Sequence, residues 1–196
     1  MEHFDGLSVT GCTRCGDLVE SRSRIVNGVG PADADLLFVG EAPGEQEDEQ
    51  GEPFVGRSGD VLDEVLRDNG MDRTVVRITN SVRCRPPANR DPTRAEREHC
   101  RPYLEGEIQH VDPSVIVTLG KVPSENLLDR SVAVTNEAGT LETVAVGDQV
   151  YDLLVCVHPA ATLYDRSQRE TLERTVARAA DLAGNPRGGQ SSLGEF

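Results

Sequence analysis

The sequence has no tryptophan and almost no lysine: of 20 basic residues only Lys121 is not arginine. Aromatic residues are scarce, four Phe and three Tyr, so any aromatic outside an apolar run stands out. No stretch approaches the roughly 20 consecutive apolar residues of a membrane-crossing helix, which excludes a helical span. The opening MEHFDGLSVTGC carries no charged-then-apolar leader. A cytoplasmic protein without membrane association is therefore expected. Acid is what the chain has in quantity: 34 Asp and Glu give a formal charge of −14. Two readings of that excess stay open. One is a halophilic protein, kept soluble in a high-salt cytoplasm by its net charge. The other is an ordinary acidic protein from a GC-rich genome, in which Arg replaces Lys. Overall acidity argues against nonspecific polyanion binding, but the distribution is uneven. Between Arg73 and Arg101 eight arginines are set against only Asp91, Glu96 and Glu98, a local basic patch suited to a phosphate backbone.

The length of 196 residues suits one domain, expected over 1–184, with 185–196 as a disordered tail. Apolar or β-branched runs at 35–40, 74–79, 114–120, 141–146 and 153–157 read as strands. They alternate with helical patterns at 59–69, 93–110, 122–129 and 165–184. Thr93 to Glu96 forms a capping box, and Pro102 is expected to kink the helix it starts. This alternation predicts an α/β fold of three layers, a mostly parallel central sheet flanked by helices. Ligands of such sheets sit beyond the carboxyl ends of the strands. Runs ending at Gly40, Asn80 and His158 would gather Glu41, Asn80 and His158 at that edge.

Two local patterns carry chemistry. The first is GEAPGEQEDEQGEPFVGRSG, Gly40 to Gly59, with six carboxylates, five glycines and the lone aromatic Phe54. Loops of this length are functional or disordered, and this one is anchored between a strand and a helix. The second is a set of cysteines. Cys12 and Cys15 are spaced C-x2-C, and fifteen residues separate Cys84 from Cys100. Four thiolates in two groups fit tetrahedral zinc or an iron–sulfur cluster, and composition does not separate the two. The fifth cysteine, Cys156, lies in an apolar run and reads as core.

In order, C-x2-C at 12–15, the 40–59 segment, ITNSVRCRPPANRDP at 78–92, Cys100, DPSVIVTLG at 112–120 and VHPAATL at 157–163 resemble the family 4 uracil-DNA glycosylases, the iron–sulfur type of archaea and thermophilic bacteria. The resemblance spans about residues 12–180. It implies a [4Fe–4S] cluster on Cys12, Cys15, Cys84 and Cys100, and removal of uracil from DNA for base excision repair. The implied partner is uracil-containing DNA. A monomer is expected, and the sequence names no repair or replication partner.

The residues make sense for that chemistry. Uracil must leave the stack before its glycosidic bond is reachable, and Phe54 supplies a stacking face. Asn80 can read uracil's O4 acceptor and N3–H donor, both inverted in cytosine. His158 can donate to O2 as charge develops there. Glu41, with Glu47 second, is the candidate carboxylate for orienting water and stabilising the cationic sugar; the other loop acids, Glu45, Asp48, Glu49 and Glu52, read as a solvated face. Where the related family 1 enzymes carry an Asp and a Tyr, this chain has Ala42 and Gly44, a loss family 4 shares. Ala42 is then a uracil neighbour, and Glu47 is placed beside uracil C5, against thymine's methyl. Arg83, Arg85 and Arg90 are candidate phosphate contacts, and Leu163 a candidate wedge into the stack. Two other classes stand beside this one: a noncatalytic iron–sulfur DNA-binding module, and a hydrolase using the acidic loop to hold Mg2+. A Schiff-base lyase would need an amine at the sugar, and Lys121 is the one lysine.

Overall fold

The computed structural model describes residues 1–184; the tail expected at 185–196 lies outside the described residues. A short antiparallel ribbon, β1 (His3–Phe4) and β2 (Val9–Thr10), leads into α1 (Gly16–Ser21). Then follow β3 (Leu36–Gly40), α2 (Glu45–Gln50), α3 (Arg57–Asp68), β4 (Arg77–Asn80), α4 (Arg94–Val111), β5 (Val115–Leu119), α5 (Lys121–Leu128), α6 (Val134–Glu137), β6 (Leu141–Val146), β7 (Gln149–Cys156), a 3-10 turn at Pro159–Leu163, and α7 (Arg166–Gly184).

The five-stranded sheet has the order β4-β3-β5-β7-β6. Its first four strands are parallel and β6 joins β7 as an antiparallel hairpin edge, so the mostly parallel three-layer α/β fold is observed. Both sheet faces are covered, which is why the central strands read as continuous apolar runs. Side chains alternate between the faces. Leu36, Phe38, Val115, Val117, Leu154 and Cys156 pack with Leu62, Leu66, Leu172 and Val176 of α3 and α7. Leu37, Val39, Ile116, Leu153 and Val155 pack with Leu104, Ile108 and Leu127 of α4 and α5. Cys156 is a core residue.

Three local expectations change. The run 74–79 forms strand only from Arg77, because Asp72 Oδ1 accepts the N–H (2.8 Å) and hydroxyl of Thr74 and turns the chain there. The acidic stretch Glu45–Gln50 is a helix, α2, invisible to apolar periodicity because its one buried side chain is Asp48. Asp48 is therefore not part of a solvated face.

The third concerns Arg83, which does not meet phosphate: it is 2% exposed and built into the interior. Glu107 of α4, fully buried, accepts Arg77 Nε at 2.7 Å on one oxygen. Its other oxygen accepts Arg83 Nη2 at 2.7 Å and Thr79 Oγ1 at 2.8 Å. Arg83 Nη1 continues to the Leu7 carbonyl (2.7 Å) and Asn27 Oδ1 (2.8 Å). One carboxylate thus ties β4, α4 and the N-terminal segment together. Removing one partner of a buried charge network leaves the others uncompensated. Glu107→Ala is expected to lower unfolding free energy by about 3–5 kcal/mol in urea titrations; a loss below about 1 kcal/mol would show that the arginines find other partners.

Candidate active site

The carboxyl ends of β3, β4 and β7 form one edge of the sheet, and the pairing Gly40↔Asn80 sets two of them side by side. Gly40 is the floor. A Cβ built on it would lie 2.2 Å from Asn80 Oδ1 and 2.5 Å from Phe54 Cε2, so both side chains converge over a position that tolerates no methyl. Asn80 is 3% exposed, and its Nδ2 is buried without a hydrogen-bond partner. An unmet buried donor costs free energy, and here it stands at a strand's carboxyl end.

Phe54 is held against its own backbone preference. Its φ is 55°, a region that non-glycine residues enter rarely and at a cost in strain. The loop clamps it from both sides. Glu47 accepts the Phe54 N–H on one oxygen and the Gly44 N–H, at 2.5 Å, on the other. Arg73 donates to the carbonyls of Phe54 and Pro53 (2.9 Å) while Asp63 holds its Nε at 2.7 Å. Gly59 of α3 leaves room for the Phe54 carbonyl, which any Cβ there would strike at 1.7 Å. Both oxygens of Glu47 are thus committed to loop amides, while the residue still lines the groove beside the Phe54 loop. Burial raises its pKa.

His158 follows β7 and faces Phe54, with ring centroids 5.7 Å apart and planes at 29°. Its Nδ1 accepts the Ala160 N–H at 3.1 Å, so a neutral ring carries its proton on Nε2. Burial pushes its pKa down to about 4, which keeps the ring neutral near pH 7. Glu41, partly buried, turns toward Asp91 and Arg97. Burial first, and then the Asp91 carboxylate, push it up to about 7. Arg97 Nε is buried without a hydrogen-bond partner, a cation that sequence reading missed. Ala42 packs toward Leu18, Val82 and Cys84.

Beside the Phe54–His158 pair, an open groove of about 280 Å³ runs between Gly44, Gln46, Val55 and Ser58 on one side and Ala160, Leu163 and Tyr164 on the other. Leu163 is 40% exposed and Tyr164, another residue sequence reading missed, is 83% exposed. In a chain this poor in aromatics an exposed ring was a usable signal. Arg85 is bonded to Asn89 at 2.7 Å and Glu45 at 3.2 Å. Arg90 is paired with both oxygens of Glu96 at 2.7–2.8 Å. Both are less free for phosphate than the sequence suggests. Lys121 is exposed and lies 3.8 Å from Glu125.

Cys12, Cys15, Cys84 and Cys100 line one cavity, with Leu18, Arg22, His99 and Tyr103 around them. Arg22 Nη1 donates to Cys84 Sγ at 2.8 Å, and Cys15 Sγ lies 3.4 Å from His99 Nδ1. Burial raises Cys15 to about 11 and Cys100 to about 12, so a bound group must displace protons. Among the described residues no three His, Cys, Asp or Glu side chains are spaced to hold one metal ion. Nor is any described helix long and apolar enough to cross a membrane.

A family model described as the uracil DNA glycosylase superfamily matches residues 27–182. A protein named type-4 uracil-DNA glycosylase from Archaeoglobus fulgidus is 38% identical over 190 residues, covering 94% of this chain and 95% of the relative. One of the same name from Thermotoga maritima is 41% identical over 176 residues, covering 89% and 88%. A third, from Sulfurisphaera tokodaii, is 36% identical over 184 residues, covering 91% and 83%.

The lowered pKa of His158 has a measurable consequence. Its folded pKa lies below the unfolded value, so its contribution to stability is complete above about 6.5 and is lost as pH falls through about 4. The His158 Cε1–H resonance, identified by its loss in His158→Gln, is expected to titrate near pH 4. A midpoint near 6.5 would contradict the neutral-donor geometry.

Proposed function

The chain belongs to the uracil DNA glycosylase superfamily, and from that premise we propose that it extrudes uracil from DNA and hydrolyses its N-glycosidic bond, leaving an abasic site. The observation that carries this reading is the buried, partnerless Nδ2 of Asn80 at the Gly40 floor, opposite Phe54. An extruded uracil stacked on Phe54 would accept from Nδ2–H at O4 and donate N3–H to Oδ1. Cytosine presents both edges reversed and would leave each group mispaired, which is how buried polar sites reach large discrimination.

Bond cleavage leaves negative charge on the base and positive charge on the sugar. The neutral His158 is oriented to donate Nε2–H to uracil O2 as that charge develops. A donor already fixed by the Ala160 N–H needs no reorganisation. Glu41 is the carboxylate proposed to orient the attacking water and offset sugar charge. Lys121 is already beside Glu125, which favours a monofunctional glycosylase over a Schiff-base lyase. Leu163, with Tyr164 beside it, is proposed to enter the base stack. Arg85 and Arg90 are proposed to reach phosphate only by exchanging their present partners.

The four cysteines fit a [4Fe–4S] cluster: an all-thiol donor set lines a single cavity, and cationic Arg22 already bonds one of the sulfurs. When bound, the cluster would supply a covalent cross-link between the N-terminal segment and the β4–α4 loop, together with a redox-active centre. The halophilic reading of the acidic surface also stays a proposal.

A labelled uracil oligonucleotide incubated with the protein and chelator is expected to break only at uracil and only after alkali. Breakage at no site would favour the noncatalytic binding module, and dependence on added Mg2+ the metal hydrolase. Asn80→Ala is expected to lower kcat/KM by at least roughly 100-fold. Glu41 must be ionised to act as proposed. kcat/KM should therefore rise through about pH 7, and Glu41→Gln should be slower and flat across that range. A wild-type limb preserved in Glu41→Gln would assign the role to another group.

A further inference from the structure

The stacking loop and the cysteine-bearing segment are joined by a chain of neighbouring residues. Glu47 clamps the amides of Gly44 and Phe54. Asp48, next in α2, faces the other way and is 1% exposed. Its two oxygens accept the Ser23 N–H at 2.9 and 2.8 Å, and Oδ1 also accepts the Arg24 N–H at 3.3 Å. Arg22, immediately before Ser23, donates to Cys84 Sγ at 2.8 Å and to the Cys12 carbonyl at 2.5 Å. Gly51, which ends α2 with φ 88°, sits under the Arg24 guanidinium at a distance where a Cβ would lie 3.2 Å away. A buried carboxylate is an expensive way to join two loops. An apolar residue of similar volume would often be neutral or stabilising, but it could not fix two backbone amides in direction.

We infer that Asp48 is a positioning residue for uracil binding: it transmits the order that the four cysteines impose on Arg22–Arg24 to the loop that holds Phe54. The inference rests on the uracil pocket and cysteine cluster proposed above. Coupling between sites is reciprocal. If an ordered cysteine segment improves uracil binding, then bound uracil favours the ordered, iron-retaining segment by the same free energy, and iron loss that starts from the disordered segment is slowed with it. A physical chain of contacts is not itself a coupling, so the test measures both directions.

The purified holoprotein is incubated with chelator in air, with and without saturating free uracil, and the decay of its visible iron–sulfur absorbance is followed. Uracil is expected to lengthen the wild-type half-life roughly three- to ten-fold. In Asp48→Ala that protection should vanish, and KM for a uracil oligonucleotide should rise by a similar factor with kcat changed less, because stacking holds ground and transition states alike. Asp48→Asn, which keeps one acceptor oxygen, should fall between. Glu49→Ala, an exposed neighbour, should match wild type. Unchanged wild-type decay in uracil overturns the proposal without any variant. Intact protection and KM in Asp48→Ala or Asp48→Asn overturns it as well. A wild-type protein without iron–sulfur absorbance, or without uracil release, brings down the proposal together with the reading beneath it.

Discussion

Glu107 is the constraint on which much of the rest depends. It is a single carboxylate with no exposed surface, shared by Arg77, Arg83 and Thr79. Two of those partners lie on β4, and the third lies three residues past its end. The strand is only four residues long and sits at the edge of the sheet, paired with β3 on one side and bridged to Val29 at Ile78 on the other, so backbone pairing holds it weakly. Fixing Arg77 and Arg83 against α4 sets the register of everything between and just beyond them, which includes Asn80 and Cys84. A pocket donor and a cysteine of the proposed cluster are therefore aligned by one interior charge. A buried ionic group that apolar packing could replace for stability alone thus also sets geometry here.

The same trade of stability for geometry recurs at the pocket. Phe54 adopts a left-handed backbone conformation, which costs of order 1–3 kcal/mol, and an acid and an arginine hold it there by its own amide and carbonyl. Asn80 keeps a donor unmet. His158 and Glu41 are shifted in opposite directions from their ordinary values, to about 4 and about 7. The imidazole is thereby kept as a neutral donor, and the carboxyl is brought close to the pH at which it exchanges its proton.

The layered fold was legible from the sequence because the central strands are buried on both faces and read as unbroken apolar runs. The edge that carries the candidate site was legible because three of those runs end at or just before Gly40, Asn80 and His158. Legibility failed where polar residues took interior roles. Glu45–Gln50 reads as solvated acid, yet it winds into a helix whose Asp48 is buried; no hydrophobic period announces a helix that packs by a carboxylate. Arg83 reads as part of a basic patch, yet its partner Glu107 lies 24 residues away on another element, a pairing no local window contains. Glu47 lines the groove as its motif suggested, but that its oxygens are spent on backbone amides was not legible, because only the folded loop brings those amides near.

This internal use of arginine bears on how an acidic chain meets DNA. Of the eight arginines from Arg73 to Arg101, Arg77 and Arg83 are buried with Glu107, Arg73 is engaged with Asp63 and the Phe54 segment, and Arg101 with Glu105 and Asp129. Arg90 and Arg94 pair with Glu96 and Glu98. Part of the apparent basic patch is therefore consumed by the fold: Arg77 and Arg83 lie in the interior, while Arg90 and Arg94 keep solvent-facing pairs. On a body of formal charge −14, counterion release then has few cations to draw on, and that release dominates ordinary DNA affinity. At the groove the surface offers Leu163 and Tyr164 beside the exposed Arg57; the apolar packing of Leu163 and the stacking of the Tyr164 ring are less exposed to salt screening than a phosphate contact. In a high-salt cytoplasm, phosphate pairing would be the weakest handle on the substrate and an apolar one the most durable. Of the described tyrosines Tyr103 and Tyr151 are buried and Tyr164 faces solvent, so the apolar handle rests on Tyr164 together with Leu163.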